Sequence, residues 1–438
     1  MLIRFGVKNH LSVRDYQELS CVASHLQEDL NHLFEIKSES FKDKKFLPVL
    51  ALYGANAAGK SNLLNAFLFF NQAIVKSYSH WEERKSLPHP HFALDTESKG
   101  EASSYECDVL IDAVRYQYGF SLNKETVLNE WLYFYPKGSR NILFQRSFST
   151  ATNGELDIYF GPSLKKINDL WKSIAKNTRT LILSAAGKKD HAHDQLTPIF
   201  HYFKDRFQFV HIKDDLSEYF LAEQIEKGKI QDRLTTVLKK ADFGIVGIEI
   251  RKEEVDEKQK NFLLGLKNLI KENLGTTAAD DHLDIEDERL RINFVHACSD
   301  ASTHTLSYDE ESSGTRYLLS LLVPVISALE NGKTLIVDEI TTNLHTKLSE
   351  QIVALFTSKE INKTNAQFIF STHDTNLLSR ELLRRDEIWF TEKNSQGATI
   401  VYPLTDFKTR KADNIEKGYL QGRFGAIPFV GDIGALLK

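Results

Sequence analysis

The strongest constraint on the fold is an apolar run, Leu47-Pro48-Val49-Leu50-Ala51-Leu52-Tyr53, that passes directly into Gly54-Ala55-Asn56-Ala57-Ala58-Gly59-Lys60-Ser61. The run has no polar alternation, so it reads as a strand buried on both faces. Asn62 to Phe70 then carry apolar side chains at the spacing and over the length of a helix packed on a sheet. Strand, glycine-containing loop and helix in that order fit GxxxxGK[ST], the phosphate-binding loop. A triphosphate brings about four negative charges, so several backbone N–H groups must point inward and the backbone must come close. Gly54 and Gly59 permit that approach, and Asn56, Ala57, Ala58 and Asn62 complete the candidate cradle. Lys60 is the candidate cation for the β and γ phosphates, and the Ser61 hydroxyl a candidate ligand for Mg2+.

The flanking sequence supplies the sheet this loop needs. Strands are expected from Leu2 to Val7 and from Tyr16 to Val22. Short Tyr/Val/Ile/Phe-rich runs from about 104 to 146, separated by turn residues, read as an antiparallel meander. From about 164 to 285 the segments lengthen, as in QIEKGKIQDRLTTVLKKA and EVDEKQKNFLLGLKNLIKENL, and suit helices. They sustain no heptad repeat, which argues against a long coiled-coil arm. Beyond 290 the types alternate again. Arg291–Ala297, Thr334–Val337, Gln367–Ser371 and Glu387–Phe390 read as strands, Tyr317–Leu329 and Leu348–Phe356 as helices. Such alternation means α/β with a mostly parallel sheet. The polar stretch from Glu35 to Lys45 reads as a solvated loop.

Thr334-Leu335-Ile336-Val337-Asp338-Glu339 is an apolar strand ending in two carboxylates. In an α/β sheet both acids fall at the carboxyl edge, beside the phosphates. Asp338 is placed to hold Mg2+, and Glu339 to take a proton from the attacking water. Glu311-Ser312-Ser313-Gly314-Thr315-Arg316 precedes a helix; a small-residue turn there offers N–H groups and a hydroxyl to a phosphate, and equally reads as an ordinary cap. Phe368-Ile369-Phe370-Ser371-Thr372-His373 is a strand ending in a histidine.

In combination these motifs resemble those of ABC-class ATPases, a group that includes transporter nucleotide-binding domains, SMC heads and RecF-like repair proteins. Ser312, Ser313 and Gly314 match the Ser-Gly-Gly part of the signature, with Glu311 for the usual leucine and Ser313 for a glycine. Ile340-Thr341-Thr342-Asn343-Leu344-His345 falls where such ATPases have the D-loop, and His373 where they have the switch histidine. Neither Gln72 nor Gln117 has the context of the Q-loop glutamine. The stretches LIRFGVKNHLSVRDYQELSCVAS, LYGANAAGKSNLLNA, SSGTRYLLSLL, DEITTNLH and GRFGAIPFVGD look more narrowly like the ATP-binding components of prokaryotic abortive-infection and restriction-linked operons, the AbiL and RloA type.

The resemblance implies a mixed α/β ATPase head of the ABC type with an antiparallel meander and a mainly helical insertion. Residues 1–150 and 289–438 would form the two parts of the head, and 151–288 the insertion. It implies Mg-dependent ATP hydrolysis, with Glu339, His373 and Lys60 at the reacting end. It also implies a homodimer in which Ser312 to Gly314 of one copy close on the ATP held by Lys60 of the other, so that ligand binding biases a two-state switch. Its partner would be a separately encoded toxic effector acting during phage infection. A RecF- or SMC-like repair ATPase acting directly on DNA would carry the same machinery.

Composition narrows the setting without choosing a partner. Lys plus Arg number 55 and Asp plus Glu 60, a net charge of -5, too near neutral to advertise a nucleic acid or a membrane surface. Cys21, Cys107 and Cys298 are far apart and share no CxxC spacing, which supports neither a thiolate zinc site nor a disulfide framework and fits the reducing cytoplasm. No segment approaches the roughly 20 apolar residues of a spanning helix, and the first residues lack the apolar core of a secretory signal. Phe407 to Lys411 with Lys417 and Arg423 is a candidate phosphate contact or a solvated face. Arg206 and His211 have RxxxxH spacing, but RFQFVH reads as a strand where a HEPN ribonuclease needs a helix, and His191 to Asp194 reads as a polar loop.

Overall fold

The structure, a computed structural model, describes residues 1–427 except 29, 42–43, 150–153, 211–217, 241–243, 255–264, 266–287 and 343. The chain divides into two compact units. The first comprises Met1–Phe209, Ala328–Thr341 and His345 onward; the second comprises Val210–Ser327 and Thr342–Leu344.

The first unit holds the predicted α/β sheet. From edge to edge its strands are Phe207–Val210, Thr334–Val337, Gln367–Ser371, Val49–Tyr53, Ile388–Lys393 and Thr399–Pro403. Thr334–Val337, Gln367–Ser371, Val49–Tyr53 and Ile388–Lys393 run parallel, and the last two strands of the sheet form an antiparallel hairpin. Every side chain of Val49–Tyr53, Thr334–Val337 and Gln367–Ser371 is buried, which is why these strands read as unbroken apolar runs. Val337 pairs with Phe370 and Ser371 with Leu52, so the chain leaves the sheet at Gly54, Asp338 and Thr372 along one carboxyl edge.

A second, antiparallel sheet follows the order Glu155–Phe160, Asn141–Ser149, Val127–Tyr135, Val114–Leu122, Ser103–Ile111, Leu2–Lys8 and Gln17–Ser20. The meander therefore runs one strand further than its sequence suggests. The helix Lys60–His80 contributes Leu63, Leu64, Phe67, Phe70 and Ile74 to a core shared with Leu50, Leu52, Ile336 and Ile369 of the parallel sheet. Phe67 stacks on Phe5 at 4.4 Å and Phe70 on Phe120 at 5.7 Å, tying the helix to the antiparallel sheet. The short helices Asp169–Lys176, Ile182–Ala185 and Leu196–Arg206 complete this core. A fully buried ion pair fastens them. Arg146 donates to Glu130 at 2.7 Å and to the carbonyls of Asn177, Thr180 and Ala175. Glu130 in turn accepts from Tyr118 and from the N–H groups of Ile182 and Leu183.

The second unit combines the helices Glu218–Gly228 and Gln231–Lys240 with a three-stranded antiparallel sheet, Ile245–Glu254, Glu288–Ala297 and Thr303–Ser307. Glu218 ties helix to sheet, accepting from Arg291 at 2.6 Å and from the Ile292 N–H at 2.7 Å. The segment QIEKGKIQDRLTTVLKKA, which suits helices, holds parts of two. Lys229, at φ +50, breaks it after Gly228. The second helical segment, residues 254–274, lies almost wholly outside the described residues. The fold is of the mixed α/β class expected, and residues 151–288, expected to be mainly helical, hold strands as well as helices among those described. Among the described residues no helix is long and apolar enough to cross a membrane.

Candidate nucleotide-binding site

Two glycines shape the phosphate loop for different reasons. At Gly54 a Cβ would lie 2.4 Å from both the main-chain oxygen and the hydroxyl of Thr391 on the neighbouring strand. Gly59, the residue before the helix, has φ +107, and a Cβ there would lie 2.0 Å from the Thr399 hydroxyl. Ala57 is also left-handed, at φ +62, and it and Asn56 are exposed at the crest of the loop. The first turn of the helix, Lys60 to Asn62, supplies N–H groups that have no partner within the helix, whose first bond is Leu63 N–H to the Gly59 carbonyl at 3.0 Å, together with the positive end of its dipole.

Lys60 is buried, and its ammonium donates to the Gly54 carbonyl at 2.8 Å and the Ala55 carbonyl at 3.3 Å. Burial pulls its pKa below the ordinary lysine value, against the opposing pull of Glu339 and then Asp338. Both carboxylates are therefore within electrostatic reach of the ammonium. His373 adjoins the same ammonium, with Nδ1 and Nε2 each 3.3 Å from Nζ. The Nε2 of His373 also lies 2.7 Å from Glu339 Oε1. Lysine, carboxylate and histidine thus meet at one point of the sheet edge.

The turn carrying the acids is held by Ser371. Its hydroxyl donates to Asp338 Oδ1 at 2.6 Å and accepts from the Glu339 N–H at 2.7 Å. Glu339 has φ +61, an uncommon conformation for a residue with a side chain. The Ile340 N–H, donating to the Ser371 carbonyl at 3.0 Å, closes the turn on the strand Gln367–Ser371. The next residues form a second polar array. Thr372 and Thr341 hydroxyls lie 3.2 Å apart, the Thr372 hydroxyl accepts from the Asp374 N–H, and Asp374 accepts from Thr346. His345 caps the helix Thr346–Thr357 by accepting from the Lys347 N–H.

Residues 49–379 match the family model described as "AAA domain, putative AbiEii toxin, Type IV TA system", a span that begins on the strand before the phosphate loop and ends just past His373. The chain belongs to this family. No curated protein matches it. Among solved structures it is similar to the SMC head domain from Thermotoga maritima, at 13% identity and TM-score 0.39, covering 92% of this chain and 98% of that one. An SmcHead bound to the C-winged helix domain of ScpA gives 13%, 0.39, 92% and 96% for the same quantities. An Smc head domain with an extended coiled coil, bound to the C-terminal domain of ScpA derived from Pyrococcus furiosus, gives 11%, 0.38, 92% and 97%. At these TM-scores the likeness is loose, and the family rests on the sequence match.

Within the family span, the fold brings Gly54 to Asn62, Asp338, Glu339 and His373 together in the first unit. Ser312, Ser313 and Gly314 belong to the second. There Ser312 Oγ accepts from the Thr315 N–H at 3.1 Å as the helix Ser313–Asn331 begins, while Glu311 accepts from the Ser312 N–H and lies 2.7 Å from His296 Nε2. Ser312 and Ser313 are exposed. Asn343 and His211 lie outside the described residues.

Other candidates are otherwise engaged. Gln117 bonds Glu106 and Tyr135 within the meander. The Arg206 guanidinium donates to the Asn331 carbonyl. His193 is buried, its Nε2 2.8 Å from the Lys165 carbonyl and its Nδ1 accepting from Gln195 N–H. Arg423 is paired with Asp413 and donates to the Lys408 carbonyl. Sequence reasoning missed the residues that hold the site from behind: Ser371 under the acids, Thr391 against Gly54, and Ser12 and Thr399 against Gly59. Only Ser371 had a signal, as the polar end of an apolar strand.

Proposed function

We propose that this chain is a Mg-dependent, ATP-hydrolysing switch of the ABC class, working as a homodimer in the cytoplasm and controlling a separately encoded toxic effector in phage defence. The observation that carries the reading is the convergence of Lys60, Glu339 and His373 beside the phosphate loop. The loop N–H groups and Lys60 bind the phosphates, and Glu339 takes the proton of the attacking water. His373, in contact with both, registers the presence of a γ-phosphate. Ser61 and Asp338 offer hard oxygen donors suited to Mg2+, which would neutralise phosphate charge. The exposed turn Ser312 to Gly314 is the surface by which a second copy would seal the nucleotide.

The defence role is supported by the family description, which names a toxin and a type IV toxin–antitoxin system. Two experiments test the proposal. Phosphate release should require Mg2+ and vanish in Glu339→Gln while nucleotide binding survives. Co-purification from the native operon should yield an effector whose association changes with ATP. Undiminished turnover by Glu339→Gln would reject the assigned chemistry.

A further inference from the structure

Behind the phosphate loop, four polar groups from three separate parts of the sequence form one chain of hydrogen bonds. The Asn62 side-chain amide donates to Ser12 Oγ at 2.7 Å, Ser12 and Thr399 hydroxyls lie 2.8 Å apart, and Thr399 Oγ1 donates to the Ala58 carbonyl at 3.0 Å. The proton positions follow from valence. A carbonyl accepts only, so the single hydroxyl proton of Thr399 goes to Ala58. Ser12 must then donate to Thr399, which leaves its lone pairs for Asn62. Every bond points the same way, from the first turn of the helix round to the loop that precedes it. A main-chain bond from Thr399 N–H to Ser12 carbonyl at 2.7 Å locks the two hydroxyl carriers together.

The last acceptor gives the chain its consequence. In a planar trans peptide the C=O and the following N–H point to opposite sides. Holding the Ala58 carbonyl outward on Thr399 therefore turns the Gly59 N–H to the opposite side. A flip of that peptide would exchange them and present a carbonyl oxygen where an anion should bind. The same Thr399 side chain fills the space where a Gly59 Cβ would be, so loop and clamp are fitted to each other. Thr399 is 1% exposed and Ala58 3%, so water cannot replace the lost donor.

We propose that Ser12 and Thr399 are positioning residues that fix the Ala58–Gly59 peptide in its phosphate-binding orientation. The inference rests on the nucleotide-binding reading above and adds two residues, one from the turn between the first two strands and one from the edge hairpin. Loss of the clamp lets the peptide sample the flipped state, and it weakens binding of any nucleotide that uses the loop. Proton transfer from the attacking water to Glu339 is left unaltered once nucleotide is bound.

The test is MgADP and MgATP affinity by calorimetry, with steady-state hydrolysis, for the full chain and the variants Thr399→Val, Thr399→Ser, Ser12→Ala and Lys60→Ala. Thr399→Val keeps the shape and removes the hydroxyl. It should raise Kd for both nucleotides about tenfold, raise KM in parallel and leave kcat within about threefold. Thr399→Ser should restore the affinity, and Ser12→Ala, which spares the bond to Ala58, should raise Kd about threefold. Folded Thr399→Val with wild-type Kd, or Thr399→Ser as weak as Thr399→Val, overturns the clamp. If Thr399→Val does not fold, an unchanged Kd in Ser12→Ala overturns it. Lys60→Ala separates the two layers. If it too binds as wild type, the nucleotide site itself is wrong; if it alone loses binding, only the clamp is.

Discussion

Replacing Ser371 by alanine probes the turn that carries Asp338 and Glu339 with one atom. The hydroxyl serves two groups, donating to Asp338 Oδ1 and accepting from the Glu339 N–H, and Ser371 is fully buried. Its loss leaves the Glu339 N–H without its acceptor, at a cost of about 1–3 kcal/mol. The turn already carries Glu339 at φ +61, where a residue with a side chain is disfavoured by roughly 1–2 kcal/mol. With the restraint gone, relaxation of that backbone angle is the cheapest escape, and it swings the Glu339 carboxylate off His373. If about 2 kcal/mol of positioning is lost in the transition state, kcat falls about thirtyfold, since each 1.36 kcal/mol is tenfold. The phosphate loop lies on a different strand end, so Kd for MgADP should stay within about twofold. Single-turnover hydrolysis beside ADP calorimetry separates these effects. A folded Ser371→Ala that hydrolyses ATP at the wild-type rate would show that Ser371 does not position Glu339.

Two further outcomes test the packing around the site. Arg146→Met strands the Glu130 carboxylate in a fully buried position and removes the donor to three carbonyls, so urea unfolding should show a loss of about 3–5 kcal/mol; a loss under about 1 kcal/mol contradicts the buried pair. Gly59→Ala combines φ +107 with a clash against Thr399, and should weaken MgATP binding at least about tenfold with little effect on the melting of the remaining core; wild-type affinity would mean that the loop is not held as described.

Much of the fold was readable because its strands are local signals. Thr334–Val337 and Gln367–Ser371 are found at the expected bounds, since central parallel strands are apolar throughout and stop where the chain turns polar. The helix expected from Tyr317 begins earlier, at Ser313, because Ser313, Gly314 and Thr315 lack the apolar spacing that marks a packed face. Ile245–Glu254 was hidden for the opposite reason. Its second half, Arg251 to Glu254, is exposed and charged, and its partner strand Glu288–Ala297 lies well downstream, so pairing rather than composition makes it a strand. Phosphate chemistry left a contiguous motif from Gly54 to Ser61. The clamp left none, because Ser12 and Thr399 are 387 positions apart and meet only in the folded sheet.

If two copies share each nucleotide, one through Lys60 and the other through the turn at Ser312, association must depend on the γ-phosphate. The direct measurement is the mass of Glu339→Gln in solution by analytical ultracentrifugation, with MgATP or MgADP at saturating concentration. Sharing requires a dimer with MgATP, a monomer with MgADP, and a monomer with MgATP once Ser312→Arg is added to the same chain. A Glu339→Gln protein that remains monomeric while fully loaded with MgATP would contradict it.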